Sequence, residues 1–125
     1  MQHGGLRKDG KVAVAPTGRY YSELSLWDTF RGAHPFYTMA SPELVPEFVN
    51  SMLAHFDVAG YLPVLPKWGQ DSQCMIATHA VAVIADAFFK GFKGVDWRRA
   101  YGAVKDTLTK AHPGRKKEGR AEKTK

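Results

Sequence analysis

The feature that most constrains the fold is a bounded helical pattern in the middle of the chain. Six apolar residues recur there at steps of three and four, which places them on one side of an α-helix. They are Val45, Phe48, Val49, Met52, Leu53 and Phe56. Ser41-Pro42 supplies a cap and a proline at the first helical position, and Gly60 ends the pattern. We therefore predict a helix that ends near Val58 and buries its apolar stripe against neighbouring elements.

Two other segments with helical patterns flank this one. The aromatic segment 26–40 is expected to be kinked or short, because Gly32 and a proline interrupt it. A third helix begins at residue 75 or 79 and runs to residue 90, and it is apolar on almost every side. Such a helix is expected to be central and covered on most sides.

The last helical segment opens with Asp96 as its cap and covers residues 97 to about 111. Its larger apolar residues are expected to face inward; they are Trp97, Tyr101, Val104 and Leu108. Outside these segments the sequence shows no clear alternation of apolar and polar residues that would predict a β-sheet. The sequence therefore predicts an all-α fold of about four helices arranged as two hairpins. In this prediction residues 1–18 form an irregular arm and residues 111–125 a disordered basic tail.

Most of the formal charge of +6 is concentrated after the last helical segment. Residues 111–125 hold six basic residues against two acidic ones. A nucleic-acid-binding face would interleave basic and aromatic residues on a folded surface, and the sequence lacks that pattern. The N-terminus has no apolar run typical of a signal peptide or anchor, and the single cysteine cannot form an intrachain disulfide. We expect a soluble chain with no nucleic-acid or membrane partner.

The strongest cluster of chemistry-bearing residues is Trp27, Asp28 and Arg31. Asp28 and Arg31 are three residues apart, so they are neighbours on a helix surface. One interpretation is a local ion pair beside a core tryptophan. The other is a sugar-binding wall, in which an aromatic face packs on the C–H surface of a pyranose ring while the carboxylate accepts hydrogen bonds from its hydroxyls. The spacing leaves both interpretations open.

The sequence context of the remaining candidate residues indicates structural roles. None of the five histidines stands in a ligand pair such as His-x-x-x-His, so the sequence gives no support for zinc. Cys74 is expected to be a buried inert thiol, and Asp86 to pair with Lys90 four residues on. No complete set of catalytic side chains is visible, so we assign no catalytic residue and no metal ligand.

Seven short motifs follow one another along the chain in a characteristic order. They are YYSELSLWDTFR at 20–31, HP at 34–35, NSML at 50–53, GYLP at 60–63, WG at 68–69, CMI at 74–76 and IADAFFKG at 84–91. In order and spacing they resemble the catalytic region of glycoside hydrolase family 92, the calcium-dependent exo-acting α-mannosidases. The resemblance covers about residues 9–110 and identifies 19–110 as part of that catalytic domain.

The resemblance implies that the helices form part of an (α/α)6 barrel with its active site at one end. It also implies an inverting mechanism, with a carboxylic acid and a carboxylate base about 6.5–9.5 Å apart. Calcium, which prefers oxygen ligands, would hold the mannose hydroxyls. In the family the acid, the base and the calcium ligands come from segments after the CMI motif, further along than this chain extends. The residues carried over are therefore those of a substrate-binding wall: Asp28, Trp27, Arg31, Trp68 and Cys74.

Two functions from different classes follow as expectations. The first is a fragment of an exo-α-mannosidase that acts on mannose-containing glycans, inactive alone and prone to self-association through exposed barrel flanks. Family members are usually exported. The alternative is a small helical carbohydrate-binding or scaffold module without catalysis. After Lys110 the family's continuation gives way to basic residues, so we expect a truncated coding sequence.

Overall fold

The chain folds as a set of packed helices with two very short β-ribbons. The computed structural model describes residues 4–6, 12–14, 19–67, 70–72, 74–75 and 78–111. The helices in these residues are α1 Leu26–Thr29, α2 Ala33–Ala40, α3 Leu44–Ala59, α4 His79–Phe89 and α5 Trp97–Thr109. The strands pair antiparallel, β1 Gly4–Leu6 with β2 Val12–Val14 and β3 Pro66–Lys67 with β4 Gln70–Asp71. The all-α prediction is confirmed, and of the predicted tail residues 112–125 lie outside the described part.

Helix α3 is the centre of the hydrophobic core. Val49, Met52 and Leu53 have 0% exposure, and α2, α4 and α5 all pack against this helix. Each fully buried side chain of this size contributes about 1.5–3 kcal/mol to folding. The helix ends at Gly60 as predicted, because Gly60 takes a left-handed conformation with φ 72° and donates its N–H to the Phe56 carbonyl.

The start of α3 lies two residues later than predicted. Residues 41–44 form a turn in which the Leu44 N–H donates to the Ser41 carbonyl at 3.0 Å. The helix proper begins at Leu44, and no side chain caps it. Pro42 therefore stands in the turn instead of the first helical position, and its fixed φ suits either place.

The aromatic segment before α3 is divided into two helices, as the interrupting glycine predicted. Helix α1 ends at Thr29, α2 begins at Ala33, and Gly32 lies between them. Pro35 does not break α2, because it stands in the first turn, where a backbone N–H has no helical partner to lose. Leu26 is 1% exposed and anchors α1 in the core.

The loop after α3 is ordered by hydrogen bonds to its own backbone. Asp71 Oδ2 accepts from the N–H groups of Val64 and Leu65 at 2.6 and 3.3 Å. The Leu62 N–H donates to the Thr107 hydroxyl of α5 at 3.1 Å. A carboxylate and a hydroxyl thus satisfy backbone groups that have no helix or sheet partner, and they hold the loop against α5.

Helix α4 is less covered than the sequence predicted. Ala80, Val83 and Ile84 are buried, but Phe88 and Phe89 at its end are 52% and 84% exposed. The predicted cover is therefore found where α1, α2, α3 and α5 pack against the helix, and it fails at the end that carries Phe88 and Phe89. An apolar composition on every side requires burial somewhere, yet it does not tell which sides the neighbouring elements reach.

Helix α5 buries only part of the apolar stripe that the sequence predicted. Its buried residues are the small ones Ala100, Ala103 and Thr107, while Tyr101 and Leu108 are 69% and 58% exposed. The predicted inward stripe is therefore wrong for Tyr101 and Leu108, whereas Trp97 and Val104 are partly buried and pack against the core as predicted. Small side chains let the backbone of α5 approach α3 and α4 closely, since the distance between helix axes depends on the residues at the contact.

The large apolar side chains of α4 and α5 line an open groove between the two helices. The lining residues include Val81, Ile84, Phe88, Phe89, Trp97 and Tyr101, and the groove encloses about 250 Å³. An exposed apolar surface of this kind is typical of a face that contacts another element or molecule. Within the described residues, no helix combines the length and apolar character needed to cross a membrane.

Two histidines take structural positions, as the sequence predicted. His34 and His55 are buried at 6% and 5% exposure. Burial lowers the pKa of both imidazoles from their ordinary value, and for His55 the charge of Asp71 acts in the opposite direction. His34 packs edge-on against Phe48, which places it among aromatic rings of the core.

The turn between α4 and α5 depends on glycine. Gly91 and Gly94 have φ values of 75° and 86°, a region that L side chains rarely adopt. The Gly94 carbonyl accepts a hydrogen bond from Asn50 Nδ2 at 2.9 Å, which fixes the turn to α3. Asp96 then caps α5 as predicted, because its Oδ1 accepts from the Arg99 N–H at 3.1 Å.

Substitution of Gly94 tests this turn. Gly94→Ala should lower the free energy of unfolding by about 1–2 kcal/mol, because an L side chain is strained at this φ. The added Cβ would meet Pro46 Cβ at 3.5 Å, an ordinary contact, so the backbone conformation causes the loss. Gly102→Ala is the matched control. Gly102 lies inside α5, where an added Cβ would have no neighbour within 4 Å, so this substitution should raise the free energy of unfolding by about 1 kcal/mol. Urea unfolding measures both, and effects of the same sign would contradict this account.

Candidate functional site

The candidate cluster lies on and beside the four-residue helix α1. Trp27 and Asp28 belong to α1, and Arg31 follows in the turn before α2. Trp27 is half-buried, whereas Asp28 and Arg31 are exposed. A helix this short is not stable alone, so its direction depends on the residues that pack against it.

Asp28 and Arg31 do not form an ion pair. Asp28 Oδ2 accepts a hydrogen bond from the Ser25 hydroxyl at 2.6 Å, and the Asp28 N–H donates to the Ser25 carbonyl at 3.0 Å. The Arg31 guanidinium lies over the Phe30 ring, 5.6 Å from its centroid. Ion pairs in the described part join other side chains, so the interpretation of a local pair is wrong. The Asp28 carboxylate keeps acceptor capacity for hydroxyl groups in solution.

Trp27 packs against the first residue of α4. The rings of Trp27 and His79 meet edge to face, with centroids 5.1 Å apart and planes at 71°. The Phe30 ring stacks on His79 at 4.3 Å with an angle of 18°. Contacts of this kind contribute about 0.5–1.5 kcal/mol each. His79 therefore ties α1 and the residue that follows it to α4.

The start of α4 combines two unfavourable features. Thr78 has a φ of 92°, in the left-handed region that β-branched residues rarely adopt. His79 Nε2 is buried and has no hydrogen-bond partner among the described residues. An unpaired buried nitrogen costs about 1–3 kcal/mol, and a strained backbone residue a similar amount. Both features stand beside the contact with Trp27.

The contact between Trp27 and His79 was not predicted from the sequence. His79 was assigned a structural role because it has no ligand partner at a recognisable spacing. The two residues are far apart in sequence, and only the packing of α1 on α4 brings their rings together. The one local signal was a histidine at the start of an otherwise apolar helix.

The two remaining predicted wall residues are Trp68 and Cys74. Trp68 lies outside the described residues. Cys74 is exposed, with its Sγ 3.1 Å from the Ser72 hydroxyl, so the prediction of a buried thiol is wrong. Its described neighbours Ser72 and Met75 are also exposed, and the residue lies before the start of α4. In the part of the chain that is described, no hydrogen bond joins Cys74 to α1.

The predicted pair on α4 is confirmed. Lys90 Nζ lies 2.8 Å from Asp86 Oδ2, and the same nitrogen donates to the Thr38 hydroxyl at 2.9 Å. Both side chains are partly exposed, so the ion pair itself contributes only about 0–1 kcal/mol. Its effect is to join the end of α4 to α2.

The described residues do not fit a calcium ion. Nowhere among them do three or more His, Cys, Asp or Glu side chains come together. Calcium takes about six to eight oxygen ligands, which needs several carboxylates or carbonyls around one point. We therefore assign no ligand and no chemical step to calcium in this chain.

Comparison with protein families identifies the domain. Residues 6–125 match the glycosyl hydrolase family 92 catalytic domain. This match includes residues 111–125 and part of the predicted arm, so the boundaries proposed at 19 and 110 remain predictions. No curated protein matches this chain.

Solved structures of two proteins resemble the fold. The family GH92 α-mannosidase BT3965 from Bacteroides thetaiotaomicron matches with TM-score 0.80 and 39% identity, over 90% of this chain and 15% of its own. Its complex with mannoimidazole matches with TM-score 0.78 and 41% identity, over 86% and 14%.

The family GH92 inverting mannosidase BT2199 from B. thetaiotaomicron VPI-5482 gives TM-score 0.64 and 26% identity, over 82% of this chain and 15% of its own. This chain thus spans only about one seventh of the length of these relatives. The family match over nearly the whole sequence and the shared helical fold lead to one conclusion. The chain belongs to glycosyl hydrolase family 92.

Proposed function

We propose that this chain forms part of the mannose-binding wall of an exo-acting α-mannosidase. The observation that carries the proposal is the adjacency of a half-buried indole, Trp27, and an exposed carboxylate, Asp28, on the short helix α1. A pyranose ring has an apolar C–H face and a rim of hydroxyls, and these two groups match them. Arg31, Trp68 and Cys74 are the further members of the proposed wall.

The family relationship supports mannose as the sugar. BT3965, which is 41% identical over the matched region, was solved in complex with mannoimidazole. BT2199 is an inverting mannosidase. By extension, the reaction that this wall serves is the inverting hydrolysis of α-mannosidic bonds in glycans, with calcium as the expected cofactor and an exported enzyme as the expected setting.

The catalytic acid and base, in this proposal, belong to other segments of an (α/α)6 barrel. The chain spans 15% of the length of BT3965, and we propose that its helices are one part of that barrel. An inverting enzyme needs two carboxyl groups on opposite faces of the scissile bond. Asp28 is one carboxylate with a binding role, so the chain alone is not expected to turn over substrate.

A carbohydrate-binding module is the second candidate function. The observation that favours it is the closed core around α3, where Val49, Met52 and Leu53 are fully buried. A segment with its own core can persist as a small domain. Such a module would bind mannose-containing glycans tightly and leave them intact.

The groove between α4 and α5 is the proposed surface for self-association. Phe89 and Tyr101 expose 84% and 69% of their surface there. In the barrel this face would contact a neighbouring helix, and in the isolated chain a second copy would cover the same apolar surface. A two-fold contact of this kind brings identical patches together.

Hydrolysis and binding assays separate the two functions. We expect no turnover of an aryl α-mannoside by the purified chain with calcium, and weak binding of methyl α-mannoside, with a Kd of about 1 mM or higher. Asp28→Ala should abolish this binding, while Glu43→Ala, which removes an exposed acid elsewhere, should leave it unchanged. Turnover that co-purifies with the chain would contradict the non-catalytic assignment. Micromolar binding without hydrolysis would establish the module instead.

Sedimentation equilibrium tests the proposed surface. Phe89→Lys should shift the chain toward monomer, because a charge in the apolar groove must be desolvated when two copies meet. Phe36→Lys is the matched control, since Phe36 is 58% exposed on α2, away from the groove. If both variants behave alike, or the unmodified chain is monomeric at all concentrations, the surface has been assigned incorrectly.

A further inference from the structure

Three unusual features meet where α4 begins, beside the proposed wall. Thr78 is held at a φ of 92°, and His79 Nε2 is buried without a hydrogen-bond partner among the described residues. The His79 ring stacks on Phe30 and meets Trp27 edge to face. Strain and unsatisfied polar atoms cluster at functional sites, where the surrounding structure holds an unfavourable arrangement in place.

The indole of Trp27 needs a partner outside its own helix. Helix α1 has four residues, and its only fully buried side chain is Leu26, which fixes the backbone in the core. Leu26 is 1% exposed whereas Trp27 is only half-buried, so the indole lies at the edge of the core and not inside it. The ring contact with His79, 5.1 Å between centroids, gives the indole such a partner on α4.

We propose that His79 is the positioning residue of the mannose-binding wall, and that its imidazole holds the Trp27 indole at the angle the sugar face requires. This inference rests on the proposed function of Trp27. His79 is assigned no hydrogen bond to the sugar, because its Nε2, which has no partner among the described residues, is buried. The arrangement lowers stability at His79 and fixes the direction of Trp27. Such a trade-off between stability and function is known at binding sites.

Two substitutions separate positioning from packing. His79→Phe keeps a flat ring and removes the unpaired nitrogen, so the chain should unfold at a higher temperature and keep the Trp27 contact. His79→Leu fills the space without a flat ring, so it should remain folded and lose the contact. A residue that acts only through packing would change the unfolding temperature and leave the environment of Trp27 unchanged.

The readout is the near-UV circular dichroism of Trp27, taken as the difference between each protein and the same protein carrying Trp27→Phe. We expect this signal to fall by about half or more in His79→Leu and to persist in His79→Phe, since an ordered edge-to-face contact generates it. Binding of methyl α-mannoside should weaken about tenfold in His79→Leu, because a displaced platform no longer meets the ring. His79→Phe should restore it.

The possible results have distinct meanings. An unchanged Trp27 signal in folded His79→Leu would overturn the positioning role, whether or not the sugar binds. A lost signal in both variants would also overturn it, because the flat ring would then not be the determinant. If His79→Phe does not fold, the comparison of His79→Leu with the unmodified chain still decides. Absence of mannoside binding in the unmodified chain counts against the proposed function alone, since the dichroism is recorded without sugar.

Discussion

The burial of one face of α3 is the constraint on which the rest of the structure depends. Val49, Met52 and Leu53 have 0% exposure, and α2, α4 and α5 reach the same core from different sides. At about 1.5–3 kcal/mol each, these side chains supply a large share of what a domain this small can gain from burial. Helix α1, too short to form alone, joins this core through Leu26.

The proposed wall takes its geometry from this core indirectly, through α4. The core positions α4, and the first residue of α4 contacts Trp27 and Phe30. Asp28 is held locally by the Ser25 hydroxyl at 2.6 Å. A binding surface of this kind needs few residues of its own, because its directions are set by a rigid neighbour. This explains how a four-residue helix can present an indole and a carboxylate in fixed relation.

Local features of the fold could be predicted from the sequence, and features that depend on distant neighbours could not. Three predicted features that are present each join residues no more than four positions apart in the sequence. They are the end of α3 at Gly60, the Asp96 cap of α5 and the Asp86–Lys90 ion pair. The inward stripe of α5 was predicted wrongly at Tyr101 and Leu108, because all of its large apolar residues had been expected to reach the core. The buried residues of α5 are the small ones Ala100, Ala103 and Thr107, which suit a close approach of neighbouring helices. The ring contact of His79 with Trp27 spans two helices, and no periodic pattern encodes it.

Membership of glycosyl hydrolase family 92 turns an ambiguous cluster into a specific hypothesis about mannose. The most direct test of that hypothesis is a nuclear magnetic resonance titration of the isotope-labelled chain with methyl α-mannoside. If the account is right, the largest shifts fall on the Trp27 indole N–H and on the backbone amides of residues 26–31. Shifts concentrated in α5 or elsewhere in the folded chain, or no shifts at saturating sugar, would contradict it.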